Sequence, residues 1–147
     1  MTHCLQELRR CHRLVARPSF IPASRPRGTK ALGLRFERRV GALLKRSFAD
    51  VHSGEWFEYL DARRVGVCQI DHYVVLNSHI ILLECKLSES EAAWPQMKDL
   101  YAPILEKHYA LPVARVQVCR HLRTGRKLIS DLRAAQPGGE YLCHLLA

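Results

Sequence analysis

The chain has 147 residues, 48% of them hydrophobic and 25% charged, with a formal net charge of +9. That length supports one core but not two, and the residue balance is that of a folded globular domain. No apolar run approaches the roughly 20 residues that cross a bilayer, and the start lacks the pattern of a secretory signal, so neither membrane insertion nor export is expected.

Residues 1–30 form a basic extension ahead of a domain over residues 31–147, with 7 Lys/Arg against 1 Asp/Glu. A short helix from Thr2 to Val15 and then a Pro- and Ser-bearing linker are expected there. The extension reads as a nucleic-acid arm or a partly docked segment, and its composition also fits an organelle presequence. From Leu32 to Phe48, the residues Phe36, Val40, Leu43, Leu44 and Phe48 recur at helical spacing, with Arg35, Arg38, Arg39, Lys45 and Arg46 on the opposite face. Glu37 departs from that division, sharing a stripe with Val40, Gly41 and Leu44 at the edge of the apolar face. Three strands follow, Glu55 to Asp61, Val67 to Leu76 and His79 to Leu87, the last two joined by the tight-turn pair Asn77-Ser78. A second helix starts near Trp94-Pro95 and carries Met97, Leu100, Tyr101, Ile104 and Leu105 at helical spacing, with a kink expected at Pro103. Val113 to Arg120 reads as a strand, and the tail ends in another, Glu140 to Leu146. Helix, three strands, helix, strand describes an α/β fold with a mixed central sheet flanked by helices.

Charge is unevenly spread along this order. Residues 1–50 hold 12 Lys/Arg against 3 Asp/Glu, residues 51–110 hold 5 against 9, and residues 111–147 hold 6 against 2. Basic flanks suit a polyanion, whose phosphates they neutralise with release of counterions, and an acidic middle suits a divalent cation. Cys4, Cys11, Cys68, Cys85, Cys119 and Cys143 are too sparse for a secreted disulfide scaffold, and several lie inside apolar runs. They read as reduced thiols of a cytoplasmic protein.

The acidic middle contains the chemistry. Asp71, Glu84 and Lys86 interrupt two of the most apolar strands, and charges are costly to bury unless paired or bound to metal. If Asn77-Ser78 form a two-residue loop, Leu76 faces His79 and Asp71 falls directly across from Glu84 at about 5 Å. Two carboxylates that close repel, and a divalent cation relieves the repulsion. Lys86 projects from the face of Glu84, whereas Cys85 alternates away and leaves its backbone carbonyl as a third ligand. A Mg²⁺ or Mn²⁺ ion on this set would acidify a bound water and polarise a phosphate, and Lys86 would stabilise the charge that develops on it. Glu37 would bind through water or help to hold a second cation.

An acid on an early helix, Asp on a strand and Glu-x-Lys on the next resembles the PD-(D/E)XK nucleases. The phrases Gln69-Ile70-Asp71-His72, Val74-Val75 and Leu83-Glu84-Cys85-Lys86 are most similar to the nuclease-related (NERD) branch. The resemblance spans about residues 33–120. It implies a restriction-endonuclease-like core, Asp71, Glu84 and Lys86 as catalytic positions with Glu37 as the helix acid, and DNA as substrate. Two departures stand out. Ile70 occupies the place of the motif's proline, and Gln96 and Tyr101 have four residues between them where some exonuclease relatives have three. That spacing sets the two about 140° apart on an ideal helix, with Tyr101 in the core. Gln96 remains a candidate substrate contact, together with Arg38 and Arg39.

The competing interpretation of the triad is a strand-end ion pair between Asp71 and Lys86 with Glu84 solvated. His72, alternating away from Asp71, is read as a packed histidine, and Trp56 and Trp94 as core or docking residues more than base-stacking ones. Cys4, Cys11 and His12 have no second pair at zinc-finger spacing. The expected activity is metal-dependent hydrolysis of DNA, and the alternative is a basic nucleic-acid-binding module that keeps the fold without cutting. A homodimer or larger assembly is left open.

Overall fold

In the computed structural model, residues 7–23, 25–123 and 125–145 are described. Seven strands form one mixed sheet: β1 (Arg10–Arg13), β2 (Val51–Leu60), β3 (Val65–Val75), β4 (Ile80–Ser88), β5 (Val113–His121), β6 (Lys127–Leu128) and β7 (Glu140–His144). Their order is β1-β2-β3-β4-β5-β7-β6. β1 through β4 pair with one another antiparallel, and β4, β5, β7 and β6 run parallel. Antiparallel neighbours need only short turns, whereas the parallel step from β4 to β5 needs a crossover. Here the crossover is helical: α2 (Ala93–Gln96), a π-helical turn (Met97–Tyr101) and α3 (Ala102–Tyr109).

The sheet is buried on both faces. On one, Ile80 and Leu82 of β4 pack with Tyr73, Met97, Ile104 and Leu105 beneath the crossover helices. On the other, Ile81 and Leu83 pack with Val116, Val118 and Phe36, Val40 and Leu44 of helix α1 (Thr29–Ser47). This is why β4 reads as an unbroken apolar run. The expected architecture of a mixed sheet between helices is present. Among the described residues no helix is long and apolar enough to cross a membrane.

Three expectations need correction. Residues 10–13 form an edge strand instead of belonging to a helix from Thr2 to Val15, whose first five residues lie outside the described set. The open edge of β2 offers unpaired backbone groups that a lone, unsupported helix would not satisfy. Leu8 and Cys11 pack against the core there, the Cys11 thiol reaches the Ile104 carbonyl at 3.4 Å, and His12 and Arg13 meet Glu58 and Glu55 at 3.8 and 3.4 Å. The basic extension is thus docked in part. Second, the helix expected from Trp94 onward is interrupted before Pro103 by a π-helical turn. Proline cannot donate a helical hydrogen bond and its ring crowds the carbonyl four residues back; the preceding turn widens, and the Ala102 N–H bonds to the Met97 carbonyl. Third, the tail adds a 3₁₀ helix (Ile129–Ala134) that covers the α1 side through Ile129 and Leu132. Cys11, Cys68, Cys85, Cys119 and Cys143 are free thiols.

Candidate active site

The β3–β4 hairpin has the register expected from its turn, from Val75↔Ile80 to His72↔Leu83. Asp71 and Glu84 would be the next pair, and there the ladder stops. Asp71 Oδ2 accepts a hydrogen bond from the Cys85 N–H at 2.9 Å, while β4 carries on beside β5 through Glu84↔Gln117, Cys85↔Val118 and Lys86↔Cys119. A carboxylate has replaced a ladder bond, so Asp71 stands in an opening between strands and not in a regular facing pair. The other side of β3 loosens at the same point. Gly54 falls between the pairs Ser53↔His72 and Glu55↔Ile70, and its φ of 64° is a left-handed conformation that favours glycine.

Two carboxyls meet at this opening, and a third, Glu37, acts on them through its charge. Glu84 is 6% exposed. Its Oε1 lies 3.6 Å from Lys86 Nζ, and its buried Oε2 has no hydrogen-bond partner; among the described residues the only other buried side-chain atoms without one are His79 Nε2 and Arg115 Nε. Burial, then the charge of Asp71, drives the Glu84 carboxyl well above the usual carboxylate range, and Lys86 pulls it back in part. Burial raises Asp71 against the opposing Cys85 N–H and Lys86. Glu37 is pushed up to about 7 by burial and Asp71, opposed by Arg38 and Lys86. Glu37, Asp71, Glu84 and Lys86 therefore act on one another from three different elements. Among the described residues no three His, Cys, Asp or Glu side chains are gathered as a metal-holding group. Asp71 and Glu84 are the close acids, and Glu37 reaches them through its charge.

Supporting residues set this arrangement. His72, 2% exposed, accepts or donates at 2.7 Å to Ser53 Oγ through Nδ1 and pairs with the Glu37 carbonyl at 2.8 Å through Nε2. The packed histidine expected from alternation thus also ties α1 to the hairpin at the residue bearing the helix acid. Gly41 permits the approach, since a Cβ there would meet His72 Cε1 at 2.8 Å. Gln117 was not anticipated. Beside Glu84 in the register, it is fully buried, and its amide clamps Ser90, accepting from the N–H at 2.6 Å and donating to the carbonyl at 3.0 Å. Its signal in the sequence is a lone amide inside the Val-rich run Val113 to Val118.

The predicted substrate contacts divide. Arg38 and Arg39 are exposed on α1. Gln96 and Tyr101 do not face apart as an ideal helix would place them. The turn between them is π-helical, which absorbs one extra residue, and both line a cavity of ≈ 370 Å³ with Tyr59, Arg64 and Cys68. Tyr101 is 6% exposed, as the core assignment requires, yet its hydroxyl is held in the neutral form by burial and by the charges of Glu84, Cys68 and Asp71. Tyr101 thus links the cavity to the acids through their charge.

No family model matches the sequence, and no curated protein does. Among solved structures, the crystal structure of protein VC1899 from Vibrio cholerae is similar at a TM-score of 0.44 and 17% identity, over 59% of this chain and 24% of that one. The chain thus spans about a quarter of that structure's length.

Proposed function

We propose that the chain is a metal-dependent nuclease of the PD-(D/E)XK type, with a restriction-endonuclease-like core, that hydrolyses phosphodiester bonds in DNA. The observation that carries this reading is the buried Glu84 Oε2, a carboxyl oxygen without a partner beside a second buried carboxyl whose charge pushes the Glu84 proton affinity up. An unsatisfied buried acceptor is costly, and repulsion between two carboxylates adds to the cost. Mg²⁺ or Mn²⁺ fits that deficit, being an oxygen-seeking cation held by one or two carboxylates together with substrate phosphate. Asp71 and Glu84 would hold it, with the Cys85 carbonyl and Glu37 as further oxygens, and when bound it would supply an acidified water and polarise the scissile phosphate.

The protein's own groups do the rest. Lys86, half-buried and ion-paired to Glu84, places an ammonium where phosphate charge develops, a contribution that grows in the transition state. Glu37, with its carboxyl at about 7, would release its proton to solvent when a cation bound beside it, and would then be available as a base. Gln96 and Tyr101, in the cavity they share, would contact the nucleotide next to the reacting phosphate, and Arg38 and Arg39 its backbone.

The test is Mg²⁺- or Mn²⁺-dependent nicking of plasmid DNA by wild type and Asp71→Ala. Nicking by wild type that chelation or the substitution removes supports the assignment; metal-independent nicking, or none by wild type, counts against it. The second reading, a basic binding module that does not cut, draws on the Glu84–Lys86 pair, which offsets part of the buried charge without a cation. DNA binding without cleavage in either metal would favour it.

A further inference from the structure

The face of the sheet that carries Glu84 and Lys86 continues past the crossover helices. Across the parallel strands, Glu84 is in register with Gln117, and Gln117 with Leu142; Val118 and Cys143 pack on the α1 side, so by alternation Gln117 and Leu142 belong to the face opposite. Beyond β4 that face opens into a cleft of ≈ 490 Å³, with Leu142 in its lining. Its walls are the turn after β4, with Ser88, Glu89 and Glu91, and the turn after β5, with Leu122, Arg123 and Arg126. Ser88 and His121, the last residues of the two strands, are paired in the register, two residues beyond Lys86↔Cys119. Cleft and acids are neighbours along β4: Ser88 in the cleft lining lies two residues beyond Lys86 and four beyond Glu84, on the same face by alternation. The crevice outside the carboxyl ends of parallel strands is where open α/β sheets commonly bind ligands.

Its chemistry is specific. Arg123 and Arg126 are exposed and make no hydrogen bond or ion pair among the described residues. Two free guanidiniums above a leucine-lined floor suit a group with a flat apolar part and an anionic part. The opposite wall is acidic, and its position is held by the buried Gln117 clamp on Ser90. Like charge on that wall turns phosphates toward the arginines, so the cleft is sided.

We infer that this cleft seats a single polynucleotide strand next to the reacting phosphate, with sugar and base over Leu122 and Leu142 and the backbone on Arg123 and Arg126. The inference rests on the nuclease reading only for which phosphate lies at Glu84. Binding of a labelled single-stranded oligodeoxynucleotide, measured in chelator over a range of salt, tests it separately from cleavage. Arg123→Gln with Arg126→Gln should weaken binding roughly tenfold at low salt and flatten the slope of log K against log salt by about 1.4. Glu89→Gln with Glu91→Gln should tighten binding. Lys45→Gln with Arg46→Gln, an equal charge change at the end of α1, should have the smaller effect. Unchanged affinity and slope in the arginine variant, or an equal loss in the α1 variant, overturns the inference even if wild type cuts DNA. Arginine-dependent binding by a protein that cuts nothing in Mg²⁺ or Mn²⁺ sustains the cleft and overturns the nuclease reading instead.

Discussion

Two polar clusters interrupt the apolar sheet, and they differ in how their charges are answered. Near the start of β2, His52 sits with its ring nitrogens 2.6 Å from Asp50 Oδ1 and 2.7 Å from Glu55 Oε1. The second Glu55 oxygen accepts from the Tyr73 hydroxyl, which lies 2.7 Å from that of Tyr109, and Arg13 adds an ion pair to Glu55 at 3.4 Å. His52 also stacks on Tyr73 with ring centroids 4.6 Å apart. Both Glu55 oxygens have partners. At the gap between β3 and β4, one ammonium serves a buried acid whose other oxygen has none. A satisfied network rigidifies a fold, whereas an unsatisfied one stores a cost that binding can relieve. The first cluster reads as structure and the second as a site.

The largest effect should come from removing the unsatisfied acid. Glu84→Gln is expected to abolish cleavage and weaken Mg²⁺ or Mn²⁺ binding by more than about 100-fold, beyond what losing a supporting group costs. DNA affinity should hold or improve as repulsion of phosphate falls. Isothermal titration giving wild-type metal affinity for this variant would remove the distinction between the clusters.

Lys86→Ala should lower turnover on the order of 10²- to 10³-fold while leaving DNA affinity nearly unchanged, because the ammonium acts on charge that appears in the transition state. Lys86→Arg should recover little, the planar guanidinium being a poor substitute for a compact point charge. Single-turnover cleavage at saturating DNA measures it, and a wild-type rate for Lys86→Ala would reduce the Glu84–Lys86 contact to an ion pair.

Damage to the satisfied cluster should show the reverse pattern. Tyr73→Phe removes a buried hydroxyl bonded to Glu55 and Tyr109, and should cost about 1–3 kcal/mol of stability. Cleavage by the folded fraction should stay within about twofold, since a structural bond lost away from the reacting atoms leaves the transition state alone. Thermal melts paired with single-turnover rates would expose a catalytic role if both fell together.

The smallest effect is in pH. Glu37 and Glu84 have folded carboxyls above their ordinary values, Glu37 at about 7. The folded state then binds more protons than the unfolded chain between the ordinary carboxyl range and the raised values. The stability these protons supply is full at low pH and is lost as pH rises through that window. Relative to wild type, Glu37→Gln with Glu84→Gln should therefore gain stability from pH 5 to pH 8, by roughly 1–2 kcal/mol. Buried His72, pushed down by its burial, has the opposite dependence but is common to both proteins. A gain that does not grow with pH would mean that the acids are not strained by their surroundings.

What the sequence determined by itself was local. The periodicity of Phe36, Val40 and Leu44 marks a helix, and the apolar runs around Asn77-Ser78 mark a hairpin whose register holds down to His72↔Leu83. A two-residue turn and an alternating side-chain period leave few other pairings. Asp71, Glu84 and Lys86 were visible because charge inside apolar strands contradicts its surroundings, and Glu37 because it departs from the polar face of its helix. Only the tertiary structure decided how that charge is answered. The Cys85 N–H that Asp71 takes, the missing partner of Glu84 Oε2 and the Gln117 clamp all depend on what β5, α1 and the β4–α2 turn bring alongside. Docking of β1 needed the open edge of β2, an edge that residues 1–30 do not encode. The π-helical turn that brings Gln96 and Tyr101 to one cavity depends on helix packing against the sheet around Pro103, where a spacing rule for an ideal helix gives the opposite answer. Periodicity reports which face of an element is apolar; whether a buried oxygen has a partner is set by groups far away in the chain, and that is a property of the fold.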